Sequence, residues 1–313
     1  MPEFTVLEKP QIQRFLPEPS EIIAALETGY ISYENGQSII PEVGYLPLEQ
    51  GEVHIKYGRI QGEEIAVVKI ASGYYGPKLA NQSSSSSCNL VLNSTTGQPL
   101  GILNDEGLLT DIRTAIATIV ASKRIYKKGD IYGVVGGGGQ AYYQSVYAKE
   151  YLGLSNISIY VRRDEQFNAL KSRLAEHGIE LTRMNTLEAL CKTCDIITTV
   201  TPAKEPLICS DWLKPRVHIN AVGSDSPNKR ELAEDVIMGA DLIIADSLQQ
   251  CFDHGELQYY EATNLNDKVI SLGQWLQTPV TESHGRTICD FTGVAICDIQ
   301  ISKLVWLSYL ASL

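Results

Sequence analysis

At 313 residues, with 44% hydrophobic and 20% charged residues, the chain has the make-up of an ordinary globular protein large enough for two domains. Its formal charge of -11 argues against nucleic acid as a partner, because phosphate binding needs dense Lys and Arg, and leaves a small molecule as the expected ligand. No uninterrupted apolar run is long enough to cross a bilayer and no cationic start leads into an apolar signal core, so a cytoplasmic protein without a membrane partner is expected. Seven cysteines, an odd number, suit a reduced compartment rather than a disulfide framework. Cys191 and Cys194 form a lone CKTC in EALCKTCDIITTV, which reads as helix running into strand and assigns the pair to packing rather than zinc or redox work. None of the five histidines falls in a metal-binding cluster, and no metal site is expected.

In chain order, Ser20 is placed to cap a helix with the apolar face Ile22, Ile23 and Leu26 that stops at Gly29. EVHIKYG alternates Val53, Ile55 and Tyr57 against His54 and Lys56, so the two basic side chains share one face of a strand. EIAVVKIA is a more apolar strand with Lys69 inside it. A buried ammonium is costly unless paired, so Lys69 either snorkels at a strand end or faces a pocket holding an acid or a carbonyl. QSSSSSC at 82–88 is a loop by composition, NLVLN resumes strand character, and Thr96 and Gly97 mark a turn. TDIRTAIATIVASKRI puts Ile112, Ala115, Ile116, Ile119 and Val120 at the spacing of a buried helix. Arg113 is expected in its first turn, against the macrodipole. There it either joins the helix terminus in holding an anion such as a substrate carboxylate, or pairs with Asp111 or Glu106.

From Gly129 the texture changes to short apolar strands, IYGVV, ISIYV, DIITTV, VHINAV and LIIAD, alternating with helical stretches. This is the pattern of a Rossmann-type doubly wound parallel sheet. Gly136, Gly138 and Ala141 form G-x-G-x-x-A directly between a strand and a helix, the context in which such glycines cradle a pyrophosphate at a helix N-terminus. After the second strand come Arg162 and Arg163, with Asp164 only beyond them. Two guanidiniums suit a 2′-phosphate and favour NADP(H) over NAD(H), unless one is a solvated loop charge and Asp164 curls back to the ribose. Ligands of open α/β sheets bind beyond the carboxyl ends of strands, which places Thr199, Val200, Thr201, Val222 and Gly223 at the crevice. Asp225 follows the same strand as Gly223 and points at the crevice or caps a helix ahead of Pro227.

VVKIASGYYGPK, DEGLLTDIRTAIA, GVVGGGGQA, HINAVGSDSPNKREL and DFTGVAICD, in that order, resemble the motifs of the ornithine cyclodeaminase and mu-crystallin family over most of the chain. The resemblance implies a homodimer whose substrate-binding and dimerisation domain, a discontinuous α+β unit at 1–126 and 296–313, brackets a Rossmann domain at 127–295. It implies NAD or NADP held by Gly136, Gly137, Gly138, Gly139, Gln140 and Ala141. It also implies an amino-acid or cyclic imino-acid substrate contacted by Lys69 and Arg113, with Asp225 as the acid/base group and Thr292, Gly293 and Val294 lining the pocket. Where cyclodeaminases carry an acid for the distal ammonium of ornithine, this strand presents His54 and Lys56, which repel a cation. The reaction expected is reduction of a small cyclic ketimine carboxylate such as Δ1-pyrroline-2-carboxylate to an L-imino acid of the proline kind. Ornithine cyclodeamination, or an alanine-dehydrogenase or opine-type reaction, is the alternative.

Overall fold

The structure, a computed structural model, describes residues 4–74, 76, 85–279 and 285–313. Its units are Met1–Thr114 with Val294–Leu313, and Ala115–Gly293. The sequence reading placed these boundaries at 126 and 296.

In the first unit the alternation read from the sequence becomes a mostly antiparallel sheet. The elements are β1 (Thr5–Glu8), α1 (Lys9–Arg14), α2 (Pro19–Glu34), β2 (Ser38–Ile39), β3 (Gly44–Leu48), β4 (Gly51–Ile60), β5 (Ile65–Tyr74), β6 (Ser85–Asn93), β7 (Pro99–Asn104) and the start of α3 (Leu108–Ser122). The strands run β1-β7-β6-β5-β4-β2, with β3 also paired to β4 and β1 parallel to β7. The C-terminal helix, Ala295–Leu310 and tenth in chain order (α10), packs on β4, β5, β6 and α2.

Two local expectations change. α2 starts at Pro19, whose missing N–H costs nothing at a helix start, with Glu18 rather than Ser20 at the cap. It runs through Gly29 to Glu34. Gly29 marks a close helix–helix approach and not a stop, since a Cβ there would lie 3.0 Å from both Gln300 and Ile296. The serine run is also not all loop: Ser85–Cys88 belong to β6, paired with β5, while 82–84 lie outside the described residues. Composition misled here because the inward positions of this strand, Ser87 and Asn89, gain hydrogen bonds to Asp105 where other strands gain apolar contact. The turn at 94–97 is built as read, with the Asn93 carboxamide oxygen accepting from the Thr95 and Thr96 amides.

The second unit contains β8 (Tyr132–Val135), α4 (Gly139–Leu152), β9 (Asn156–Tyr160), α5 (Asp164–Ala175), β10 (Glu180–Arg183), α6 (Leu187–Thr193), β11 (Ile196–Thr199), β12 (Val217–Ala221), α7 (Glu234–Met238), β13 (Leu242–Ala245), α8 (Leu248–His254), β14 (Val269–Ser271), α9 (Leu272–Gln277) and β15 (Arg286–Asp290). They form a parallel sheet in the order β10-β9-β8-β11-β12-β15-β13-β14. This is a Rossmann-type doubly wound sheet, and the strand order reverses between β8 and β11, where the crevice of such sheets opens. The CKTC pair ends α6 and leads into β11. Burial pushes both thiols up to about 12, as packing residues and not redox centres require.

Gly101 in β7 lies where a Cβ would come 2.4 Å from the Thr5 carbonyl oxygen and 2.6 Å from Trp306. Gly101→Ala should therefore cost about 1–3 kcal/mol, as overpacking typically does. Thermal unfolding with an unchanged Tm would contradict the tight fit.

Candidate functional site

Lys69 does not snorkel. Its Nζ is 3.0 Å from Oδ1 of Asp298, on the first turn of α10, and the Nε of Arg113 reaches the same oxygen at 3.0 Å. Lys69, Arg113 and Asp298 are all buried. The strand register sets Lys56 directly opposite Lys69 on the face that α10 covers, and His54 lies on that same face, two residues along, with its Nε2 3.2 Å from Glu52. Asp105 holds the neighbouring ground, accepting hydrogen bonds from Ser87, Asn89 and the Leu109 amide. α3 begins at Leu108, so Arg113 stands in the second turn and the macrodipole argument for it falls away. What places Arg113 is Asp298.

The electrostatics follow from burial and charge count. Burial pulls the Lys69 ammonium down to about 8, with Arg113 and Lys56 adding to the fall and Asp298 opposing it. Burial also pushes the Asp298 carboxyl up, but Arg113, Lys69 and Lys56 together outweigh it and hold the carboxyl below its ordinary value. Burial raises Asp105 against its hydrogen bonds. Two buried cations thus share one carboxylate oxygen with a third cation close by, an arrangement that a small bound anion would neutralise.

In the second unit, Gly136, Gly137 and Gly138 line a cleft of about 390 Å³ with Val135, Val161, Arg162, Val200 and Thr201 among its other walls. Gly136 has φ +129 and a Cβ there would meet Val200 at 2.9 Å, whereas a Cβ on Gly138 would meet nothing within 4 Å. Gly138 is the cap residue of α4 and no side chain caps that terminus. Ala141 is fully buried where helix meets strand. A close turn, open space at the helix start and a small third residue are what a dinucleotide's pyrophosphate requires, so these residues fit such a cofactor. Gly139 and Gln140 form the first turn of α4, and Arg163 is the cap residue of α5. Arg163 does not line the cleft.

Other expected site residues take part in hydrogen bonds that shape the surrounding loops. The Thr199 hydroxyl donates to Glu231 at 2.6 Å, and Glu231 also accepts from the Thr201 amide and hydroxyl and from the Gly223 amide, tying the loop after β11 to the loop after β12, next to Val222. Asp246 accepts from the Thr292 amide and hydroxyl and the Gly293 amide, so it shapes the turn that ends at Val294, the cap residue of α10. Asp225 caps no helix: it precedes a turn at 226–229 with Asn228 at φ +66, and α7 starts only at Glu234. Its carboxylate is half exposed and pairs with Lys229 at 2.6 Å. Lys69, Arg113, Lys56 and His54 therefore gather in the first unit, while Asp225 and the cofactor-type residues belong to the second. Among the described residues no group of three or more His, Cys, Asp or Glu is disposed to hold a metal.

Sequence reasoning missed Asp298, Glu231 and Asp246. For Asp298 a signal was present: an acid in the apolar run VAICDIQI is as anomalous as the lysine in AVVKIAS, and the two are each other's partners. Glu231 and Asp246 sit in mixed-polarity loops where no such contrast marks them.

The model of the ornithine cyclodeaminase/mu-crystallin family matches residues 11–312, and the chain belongs to that family. Relatives include an alanine dehydrogenase of Archaeoglobus fulgidus, 25% identical over 97% of this chain and 94% of that one. A Δ1-pyrroline-2-carboxylate reductase of Bacillus thuringiensis subsp. konkukian is 27% identical over 94% of this chain and 93% of that one. In fold, the chain is similar to the Thermococcus litoralis Δ1-pyrroline-2-carboxylate reductase solved with NADH and L-proline, with TM-score 0.89, 22% identity and 98% of each chain covered. It is likewise similar to an archaeal alanine dehydrogenase dimer with bound NAD, with TM-score 0.88, 24% identity, and 99% of this chain and 97% of that one covered.

Asp298→Ala leaves two buried cations without their shared partner and should cost about 3–5 kcal/mol, measurable by denaturant unfolding. A cost under about 1 kcal/mol, the value of a surface pair, would contradict the buried triad. Asp290, at the end of β15, is raised by burial from 3.8 to about 8. Its folded form holds a proton that the unfolded chain releases, so its stabilising contribution is complete below its ordinary value and lost as pH rises through about 8. Asp290→Asn should flatten the pH dependence of stability across that window, and an unaltered slope would count against it.

Proposed function

We propose that the chain is an NAD(P)H-dependent reductase of a small cyclic ketimine carboxylate, of the Δ1-pyrroline-2-carboxylate type, giving an L-imino acid such as proline. The observation that carries the reading is the surplus of buried positive charge at Lys69 and Arg113 over Asp298. A carboxylate-bearing substrate offsets that surplus, and the Δ1-pyrroline-2-carboxylate reductase among the relatives has such a substrate in its name.

When bound, a reduced nicotinamide supplies the hydride. The residues of the chain then divide the remaining work. Arg113, its Nε held by Asp298, orients the substrate carboxylate. Lys69 adds a second positive charge and polarises the substrate. Asp225 delivers a proton to the ring nitrogen as the imine carbon is reduced. Gly136 to Ala141 hold the pyrophosphate, and Arg162 in the cleft wall favours NADPH over NADH. Val200 and Thr201 also line the cleft, while Thr292, Gly293 and Val294 shape the substrate side. Lys56, directly opposite Lys69, speaks against a diamino acid, whose distal ammonium it would repel, and so against ornithine cyclodeamination.

The first unit serves for substrate binding and dimerisation and the second for the dinucleotide. Tyr57 and Ile70 are exposed on the strand face opposite α10, which supports a homodimer. No described helix is long and apolar enough to cross a membrane, and all seven cysteines are free, in keeping with a cytoplasmic setting.

Purified protein should consume NADPH with Δ1-pyrroline-2-carboxylate and release no ammonia from ornithine. Proline and ammonia from ornithine without net cofactor change would replace this reading with cyclodeamination. Arg113→Ala should raise the substrate KM by about tenfold or more at nearly unchanged dinucleotide affinity. Asp225→Asn should lower kcat by about 100-fold or more, and a fully active variant would remove Asp225 from proton transfer. Because Lys69 loses its proton near 8, kcat/KM should fall as pH rises through about that value. Lys69→Arg should abolish that limb, and a limb that persists belongs to another group.

A further inference from the structure

A second cavity, of about 380 Å³, lies at the carboxyl ends of β9 and β10 and is lined by Tyr160, Val161, Arg162, Arg183, Met184 and Asn185. It shares Tyr160, Val161 and Arg162 with the glycine-lined cleft, so the two adjoin at the end of β9. The parallel register sets Arg183 beside Ile159 on the neighbouring strand, and its guanidinium lies 5.4 Å from the Phe167 ring, which limits where the fork can point. Arg183 is held by Asp164 at 2.6 Å, yet Asp164 is largely exposed on the first turn of α5 and gives up little by turning to water. Arg163, next to Arg162 in sequence, lines neither cavity.

We infer that Arg183, with Arg162, forms the receptor for the 2′-phosphate of NADPH, and that Asp164 is a placeholder anion which the phosphate displaces from Arg183. The inference rests on the cofactor reading above and names the residues that set its specificity. The chemistry is that of a dianion meeting two guanidiniums, one from the end of β10 and one from the loop after the adjacent β9, where a single arginine would leave half the charge unmatched. It also gives Asp164 a role opposite to that of a ribose-binding acid. While it stays on Arg183 it competes with the phosphate, and its own charge repels the dianion.

Titration of the full chain with NADPH and NADH, followed by nicotinamide fluorescence, tests this without turnover. Arg183→Ala and Arg162→Ala should each weaken NADPH by about tenfold while NADH changes by less than about twofold, as expected for loss of one charge-assisted contact to the phosphate. Asp164→Asn should strengthen NADPH severalfold. 2′,5′-ADP should displace NADPH from the parent protein better than 5′-AMP does, and lose that advantage in Arg183→Ala. NADH binding by each variant reports that its fold is intact. Equal effects of Arg183→Ala on both dinucleotides, or none on either, would overturn the inference while the cofactor reading stands. A parent protein that binds neither dinucleotide would overturn both.

Discussion

One carboxylate, Asp298, holds together groups that lie far apart in the chain: Lys69 from a central strand, Arg113 from the second turn of α3, and the start of the C-terminal helix itself. Buried ammonium and guanidinium groups are tolerable only where an acid meets them, so the geometry of the whole cationic patch depends on this contact. The contact is also incomplete. A single oxygen serves both cations, and Oδ2 has no hydrogen-bond partner among the described residues. Two buried cations thus converge on one carboxylate oxygen, a setting that favours a bound anion.

The second unit uses carboxylates differently. Glu231, Glu256 and Asp290 are buried with proton affinities raised mainly by burial, and they accept backbone hydrogen bonds from loops at the carboxyl ends of the parallel strands. Asp246 accepts hydrogen bonds from the turn at Thr292. These acids hold loops in place. Thr199 shows the consequence: it stands at a strand end where cofactor contact is common, yet its hydroxyl is spent on Glu231. Removing such an acid would loosen two loops at once, since Glu231 joins the segments after β11 and β12.

Much of this was legible in the residues, where the physics is local. The strand-turn-helix around Gly136 read correctly because a positive φ, a close approach and a small helix-packing residue are each demanded by one position. Lys69 stood out because a charge inside an apolar strand needs a reason. Long-range pairings were hidden. β15 carries Thr287 and Asp290 into the middle of a parallel sheet, where Thr287 meets His218 of β12, and no pattern within RTICD reveals that partner. Ser85–Cys88 looked like a loop because their inward neighbour, Asp105, comes from beyond β7. Gly29 looked like a helix end because α10, which requires its smallness, begins only at Ala295.

The central claim is that the Lys69–Arg113 patch receives a carboxylate while a reduced dinucleotide is bound. Calorimetric titration of the NADPH-saturated protein with L-proline and with L-prolinamide isolates it, because the two ligands differ in the carboxylate and share the ring. The account predicts a measurable heat and a finite Kd for L-proline, none for the amide, and loss of the L-proline signal in Lys69→Met. Equal binding of acid and amide, or L-proline binding that survives without the lysine, would contradict it.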